Sequence, residues 1–225
     1  MIAQPYPPQL VIFDCDGVLV DSEMIASQVL ADLLTRMNFK ITAKDCRERF
    51  TGKSIRSVRT MVEKQWGRAL GSDFEENLRT FDRQAFEKNL RPVDGIKEAL
   101  EGIPVPLCVA SSGTPEKIKN SLDLTGLSNY FAGNLFSSTM VANGKPAPDL
   151  FQYAAAQMKS FPQHAVVIED SPSGIIAAGL ANIQVLGYSG ASHARDDPEY
   201  EGRLRNAGAE IVFDDMAKLP ELLGF

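Results

Sequence analysis

Six short apolar runs, most of them separated by stretches with helical periodicity, constrain the fold of this chain more than any other feature. They lie at residues 10–13, 105–110, 135–137, 165–169, 184–187 and 210–213. Strands that alternate with helices usually form a parallel sheet, because each crossover places a helix on one face of the sheet. The pattern therefore predicts an α/β fold with a three-layer parallel sheet core.

The gap between the first two runs is far too long for one crossover. Most of it reads as helix, with amphipathic stretches at 54–66 and 74–88 and no strand between them. We therefore predict an inserted, all-helical cap over residues 21–90, carried by a core made of residues 1–20 and 91–225.

The charge balance argues against several partners. With 29 acidic and 23 basic residues the formal net charge is −6, so the chain has no basic footprint for nucleic acid or for an anionic membrane. The N-terminus lacks a signal-like apolar region, and no apolar run is long enough to cross a bilayer. Three unclustered cysteines suit reduced thiols. We expect a cytoplasmic monomer or weak dimer that binds a small metabolite.

Two carboxylates follow the first apolar run. Asp14 and Asp16 are one residue apart and precede Gly17. Alternate residues of an extended chain point to the same side, so the two acids start about 7 Å apart, and a turn at Gly17 can bring them together. Two facing anions need a cation, and hard oxygen ligands suit Mg²⁺.

Other polar residues follow the later strands of the predicted sheet. Ser111 and Ser112 come after the second run, Lys145 follows the third and its loop, and Glu169 and Asp170 end the fourth. The carboxyl ends of parallel strands lie along one edge, where open α/β sheets bind ligands. Acids for a metal, a hydroxyl for phosphate oxygens and one ammonium are what phosphoryl transfer requires.

These segments resemble the motifs of the haloacid dehalogenase-like hydrolases, whose order along the chain they share. The resemblance is carried by residues 14–21 (DCDGVLVD), 109–112 (VASS), 144–146 (GKP) and 168–171 (IEDS). It implies a Rossmann-like core with a helical cap. It also implies that Asp14 is a nucleophile that forms an aspartyl-phosphate, and that Asp16 protonates the leaving alcohol and later deprotonates water.

The resemblance implies roles for the remaining residues as well. Ser111, with Ser112 beside it, would hold a phosphate oxygen, and Lys145 would neutralise the nucleophile and the transferring group. Asp14, the carbonyl group of Asp16 and Asp170 would bind Mg²⁺, and Glu169 would ligate it directly or through water. We further expect the cap to exclude water and to raise the pKa of Asp16, so that the acid is protonated when the ester oxygen leaves.

Each motif also has a purely structural interpretation. Asp16-Gly17 is a common turn, Ser111 or Ser112 could cap the helix that begins near Thr114, and Lys145 alone would be a solvated loop lysine. Glu169 and Asp170 could offer negative charge to a helix N-terminus. We interpret Cys15 as a packing residue, because no arginine-bearing phosphate loop follows it.

Two further groups remain open. His164 and His193 lie in predicted loops without metal-ligand spacing, and we expect both to be solvated. Lys53 and Arg56 flank a glycine-bearing loop of the cap, in the region where related enzymes often read their substrate. A plain surface loop explains them equally well.

Hydrolysis of a phosphate monoester fits best, with a sugar phosphate or sugar-acid phosphate as the leading substrate class. The chain resembles 6-phosphogluconate phosphatase-type members. Phosphohexomutase activity is the alternative, but related beta-phosphoglucomutases carry a cap histidine where this chain has Ala26, which argues against it. A phosphorylated receiver domain is a weaker alternative, because receivers are much shorter and lack a cap. An inactive binding or regulatory protein is weaker too, since no residue of the catalytic set is missing.

Overall fold

A computed structural model describes residues 7–195 and 197–225. Its six strands form one parallel sheet in the order β3-β2-β1-β4-β5-β6. The strands are β1 (Leu10–Phe13), β2 (Leu107–Ser111), β3 (Leu135–Ser137), β4 (Ala165–Glu169), β5 (Gln184–Tyr188) and β6 (Ile211–Phe213). The predicted α/β class is confirmed.

Eleven α-helices connect or follow these strands in the described residues. They are α1 (Glu23–Arg36), α2 (Ala43–Phe50), α3 (Ile55–Trp66), α4 (Phe74–Asn89), α5 (Ile96–Glu101), α6 (Pro115–Thr125), α7 (Asp149–Gln157), α8 (Pro172–Leu180), α9 (Ser192–Arg195), α10 (Tyr200–Asn206) and α11 (Leu219–Leu222). Short 3-10 helices lie at Ser128–Phe131, Ser138–Met140, Pro162–His164 and Met216–Lys218.

The sheet is covered on both faces. Along β1, Val11 and Phe13 pack in one apolar cluster with residues of α5, α6 and α11, and Leu10 and Ile12 pack in another with residues of α7, α8 and α10. Successive side chains of a strand point to opposite faces, which explains this division. The core therefore has three layers.

Helices α1 to α4 lie between β1 and α5 and share a separate apolar cluster, which includes Leu34, Phe39, Val62 and Phe74. The two chain segments that join these helices to the sheet run side by side. The amide of Asp21 donates to the carbonyl of Arg91 (2.9 Å), and the amide of Val93 donates to that of Leu19 (3.0 Å). We propose the cap boundaries at residues 21 and 90 on this basis.

Sequence patterns located most elements closely. β1, β3 and β4 have the predicted bounds, whereas β2 begins two residues later than expected and includes Ser111. Thr114 and Ser171 act as N-caps before a proline, with side chains that accept hydrogen bonds from the amides of Lys117 and Gly174. Within the described ranges, no helix combines the length and apolarity that a bilayer crossing needs.

Candidate active site

Asp14 and Asp170 stand where the strand order reverses. Asp14 follows the last residue of β1 and Asp170 follows the last residue of β4, and these strands are neighbours in the sheet. The amide of Asp14 donates to the carbonyl of Ile168 in β4 (3.0 Å). In open α/β sheets this reversal point is the usual place for a ligand.

Lys145 joins two of the buried acids. Its Nζ donates to Oδ1 of Asp14 and to Oε1 of Glu169, both at 2.7 Å, and only 2% of its side chain is exposed. Glu169 Oε2 in turn accepts hydrogen bonds from the amide and the hydroxyl of Ser171 (2.7 and 2.9 Å). Glu169 thus supports the start of α8, as its structural interpretation allowed, and also contacts the ammonium.

Carboxylate oxygens of Asp14, Glu169 and Asp170 lie within 4.8 Å of one another. Two glycines provide the space for them. A Cβ atom at Gly17 would lie 1.9 Å from Oδ2 of Asp170, and one at Gly174 would lie 1.7 Å from Oε1 of Glu169. Any larger residue at these positions would displace an acid.

The cluster carries more negative charge than its neighbours balance. Burial raises the pKa of Asp14 well above its usual value, against the opposing charge of Lys145, and the charges of Glu169 and Asp170 raise it further. Burial and Glu169 likewise raise the pKa of Asp170. Oδ2 of Asp170 is buried and accepts no hydrogen bond from the described part of the chain. Hard oxygen donors in this state fit a divalent cation such as Mg²⁺.

Asp16 takes a separate place, contrary to the expectation that its carboxylate faces that of Asp14 across a cation. Its Oδ1 accepts a hydrogen bond from the hydroxyl of Ser22 (2.6 Å), and its Oδ2 accepts one from Nζ of Lys117 (2.8 Å). Within the described residues its carboxylate is not part of the cluster of acids that could hold a metal ion. The two acids are neutralised by different lysines.

The expected rise in the pKa of Asp16 is wrong. Burial does act to raise this pKa, but the charge of Lys117 and the hydrogen bonds from Lys117 and Ser22 outweigh burial and lower it. Burial thus acts in the expected direction, but the charge of Lys117, a cation that sequence reasoning missed, reverses the net effect on this pKa.

Lys117 was detectable in principle. It is the third residue of α6, and a cation in the first turn of a helix opposes the helix dipole. Such an unfavourable position suggests a local partner. Lys117 also lies over the ring of Phe86 in α4, 5.5 Å from its centroid.

Two further acids face Lys117 from the helical segment. The charges of Asp82 and Glu23 act on Lys117, although Asp16 has the larger effect. Burial raises the pKa of Asp82 to about 6 and that of Glu23 to about 7. The region next to Asp16 is therefore lined by groups from both the core and the helices α1 and α4.

Ser111 and Ser112 lie at the end of β2, as predicted, but neither caps α6, whose N-cap is Thr114. The hydroxyl of buried Ser111 accepts from the amide of Gly113 (3.1 Å). The hydroxyl of Ser112 donates to the carbonyl of Gly52 (3.4 Å).

The turn at Gly52 brings the helical segment against the core. A Cβ atom at Gly52 would lie 2.8 Å from Cβ of Ser171. Lys53 and Arg56, which follow this turn, have exposed side chains. The turn thus reaches the site, and the contact of these two cations with substrate stays a prediction.

The prediction for His193 is wrong: its side chain is fully buried in α9. Its Nε2 lies 2.8 Å from the hydroxyl of Tyr200 and 3.2 Å from Oδ2 of Asp170. The sequence gives no signal that His193 is buried, because a helix of only four residues cannot be distinguished from a loop by its periodicity. His164 is half-buried in a short 3-10 helix.

Cys15 lies between the two acids in sequence and packs in the core, 1% exposed. Burial and the charges of Asp16 and Asp14 raise the pKa of its thiol well above the usual value. A thiol that stays protonated is a poor nucleophile, so the packing interpretation is confirmed.

Comparisons with known proteins place named phosphatases among the relatives of this chain. The chain is 26% identical over 215 residues to 6-phosphogluconate phosphatase of Escherichia coli, covering 95% of this chain and 94% of that protein. It is 28% identical over 205 residues to the phosphorylated carbohydrates phosphatase of Thermotoga maritima, covering 89% and 92% of the two chains.

A solved structure from Agrobacterium tumefaciens, a conserved haloacid dehalogenase-like protein of unknown function, is 37% identical to this chain. It superposes with a TM-score of 0.82 over 96% of this chain and 97% of that one. Residues 11–188 match the family described as haloacid dehalogenase-like hydrolase, and this range includes every residue of the acid cluster together with Lys145. The chain therefore belongs to the haloacid dehalogenase-like hydrolases.

Proposed function

We propose that this hydrolase is a Mg²⁺-dependent phosphatase that hydrolyses a small phosphate monoester through an aspartyl-phosphate on Asp14. The observation that carries the proposal is the meeting of Asp14, Lys145, Glu169 and Asp170 at the strand-order reversal, although Lys145 is 131 residues from Asp14 in sequence. The names of the two phosphatase relatives support the same reaction class.

In the first step, a carboxylate oxygen of Asp14 attacks phosphorus and the ester oxygen leaves. A bare carboxylate would repel the phosphate dianion, so Lys145, held at 2.7 Å from Asp14, offsets part of that repulsion. Ser111, buried at the end of β2, would orient one phosphate oxygen. A covalent intermediate divides one difficult displacement into two easier ones.

Asp14, Glu169 and Asp170 would hold the metal ion, with the carbonyl group of Asp16 as a further ligand. When bound, Mg²⁺ supplies positive charge that stabilises the transferring phosphoryl group. Three carboxylates against the one ammonium of Lys145 leave two negative charges, which a divalent cation balances.

Asp16 would donate the proton to the leaving alcohol and take one from the water that opens the intermediate. Both of its oxygens accept hydrogen bonds, from Ser22 and Lys117. Each oxygen keeps a second lone pair, so Asp16 can take up a proton while both contacts remain. The two donors control the acid by favouring its ionised form, which lowers its pKa.

The proposed substrate is a sugar phosphate or a sugar-acid phosphate, since both relatives are named for phosphorylated carbohydrates or their acids. Phosphohexomutase activity is less well supported. Ala26, at the position of the mutase histidine, offers no proton-transferring group and packs against the apolar core. Incubation with beta-glucose 1-phosphate and the matching bisphosphate should yield little glucose 6-phosphate.

The test is a panel of sugar phosphates, nucleotides and phosphonates, assayed with Mg²⁺ and with a chelator. We expect hydrolysis of phosphate esters that the chelator abolishes and added Mg²⁺ restores. Asp14→Asn should lower kcat by at least about 10³-fold while the circular dichroism spectrum is unchanged. Asp32→Asn, at an exposed acid of α1, is the matched control and should keep full activity. Activity without any divalent cation, or a fully active Asp14→Asn, would contradict the proposal.

A further inference from the structure

His193 and Tyr200 form a buried pair directly behind Asp170, and the proposed reaction does not otherwise use them. His193 Nε2 is 2.8 Å from the hydroxyl oxygen of Tyr200, which donates to the backbone carbonyl of Asp170 at 3.0 Å. The rings of the two residues also meet edge to face, with centroids 5.2 Å apart. The pair therefore contacts Asp170 through its backbone.

The direction of these hydrogen bonds follows from the number of protons available. The hydroxyl of Tyr200 has one proton, and that proton is directed to the carbonyl of Asp170. The oxygen of Tyr200 must then accept from His193, so the imidazole carries its proton on Nε2. The same N–H group lies 3.2 Å from Oδ2 of Asp170, close enough to interact with the carboxylate without an aligned hydrogen bond.

Gly17 completes the enclosure of this carboxylate from the other side. A Cβ atom at Gly17 would lie 1.9 Å from Oδ2 of Asp170 and 3.0 Å from Cε1 of His193. The Asp170 carboxylate is thus confined between the backbone of Gly17 and the imidazole ring, which restricts its rotation.

The position of His193 is itself fixed through its neighbour. The hydroxyl of Ser192 donates to Oδ1 of Asp21 at 2.6 Å, which ties α9 to the segment between β1 and α1. A four-residue helix would otherwise be a weak support for a positioning residue.

We propose that His193 and Tyr200 are positioning residues that hold Asp170 in the orientation in which it binds the divalent cation. This inference rests on the proposed metal-dependent function. Mutation of a residue that contacts a metal ligand from behind typically lowers metal affinity or activity by 10- to 100-fold.

The first test uses Tyr200→Phe, which keeps the ring and removes the hydroxyl. Metal-free protein is titrated with Mn²⁺, free Mn²⁺ is followed by electron paramagnetic resonance, and Mg²⁺ competition gives the second constant. We expect both dissociation constants to rise about 10-fold or more. Tyr130→Phe is the matched control, because the hydroxyl of Tyr130 also donates a hydrogen bond, to Glu101 at the surface (3.0 Å). The Tyr130→Phe variant should bind Mn²⁺ and Mg²⁺ as tightly as the parent protein.

The second test compares two replacements of His193. Gln can place an N–H group near the position of Nε2, whereas Leu cannot, so His193→Gln should retain more metal affinity than His193→Leu. In steady-state assays the Mg²⁺ concentration for half-maximal activity should rise in the Leu variant, while kcat at saturating Mg²⁺ stays within about threefold of the parent value. A residue that only fills space would lower thermal stability without this separation.

The outcomes distinguish this inference from the proposed function. If the parent protein binds Mn²⁺ and folded Tyr200→Phe binds it equally well, the positioning role is wrong and the metal site stands. If the parent protein binds no Mn²⁺, both proposals fail. Should His193→Leu not fold, Tyr200→Phe alone decides.

Discussion

Two lysines neutralise the acids of this site, and their surroundings differ. Lys145 is 2% exposed and contacts Asp14, directly after β1, and Glu169, the last residue of β4. Lys117 has 32% of its side chain exposed, binds Asp16 and lies against Phe86 of the helical segment. Both ammonium groups have a raised pKa, for although burial alone would lower it, the nearby acids raise it more.

The difference separates two tasks. The two acids that contact Lys145 stand at the carboxyl ends of β1 and β4, and Phe151 of the core helix α7 lies under its ammonium group, so Asp14 and its counter-charge are held by the core alone. The neighbours of Lys117 come from the core and from the helical segment, so its environment depends on where that segment lies. In the proposed mechanism, chemistry at phosphorus therefore falls to the core, and control of the proton falls to the boundary between the core and helices α1 to α4.

The largest effect should come from the core lysine. Lys145→Met removes the only ammonium found beside Asp14 in the described residues and should lower kcat by about 10³-fold, because the transferring charge loses its counter-ion. Initial rates at saturating substrate measure this. Lys97→Met, at an exposed position of α5, should leave the rate unchanged. If Lys145→Met keeps a tenth of the parent activity, the assignment of the phosphoryl chemistry to Lys145 and the core is contradicted.

A steric change should disturb the same centre without removing a charge. Gly174→Ala places a methyl group against Glu169 Oε1 and should displace both Glu169 and Lys145, lowering kcat by about 100-fold. Gly179→Ala lies in the same helix with no atom near its Cβ position, and should keep activity and raise stability by about 0.5–1 kcal/mol. Equal activity in the two variants would contradict the crowded geometry around Glu169.

The cap-facing lysine should affect the pH profile. Lys117 lowers the pKa of Asp16, so Lys117→Met should raise that pKa. Because the first step needs protonated Asp16, the fall of kcat/KM with rising pH should move to higher pH, by about 1 to 3 units. Substrates such as p-nitrophenyl phosphate, whose leaving group needs no proton, should not show the shift. If the pH profile of Lys117→Met with an alkyl phosphate does not move, Lys117 does not control the acid that protonates the leaving group.

The smallest effect should come from the exposed cations of the cap turn. Lys53→Ala and Arg56→Ala should each raise KM by about 10-fold, with kcat nearly unchanged, because a charge that only binds substrate acts on both ground and transition states. Lys64→Ala, at an exposed position of the same helix as Arg56, is the control. Unchanged KM in all three variants would leave the Gly52 turn as a surface loop.

Local patterns in the sequence predicted the sheet and the side chains that its strand ends present. A strand end and the next residue have few conformational choices, so Asp14, Glu169 and Asp170 could be placed at one edge from the sequence. Lys145 was placed there less directly, from the loop that follows the third strand. The N-caps Thr114 and Ser171 were equally local signals. His193 was mispredicted because its burial depends on α9 packing against Asp170, which lies on another strand end.

By itself, the sequence determined the layer architecture, the order of the acids along the sheet edge and the family, because these depend on spacing and periodicity within short segments. Only the tertiary structure decided that Asp14 and Asp16 bind different lysines, that the pKa of Asp16 is lowered, and that His193 lies behind Asp170. These outcomes depend on contacts between residues far apart in the chain, such as Asp16 and Lys117, whose side-chain directions are set by packing and not by neighbours in sequence.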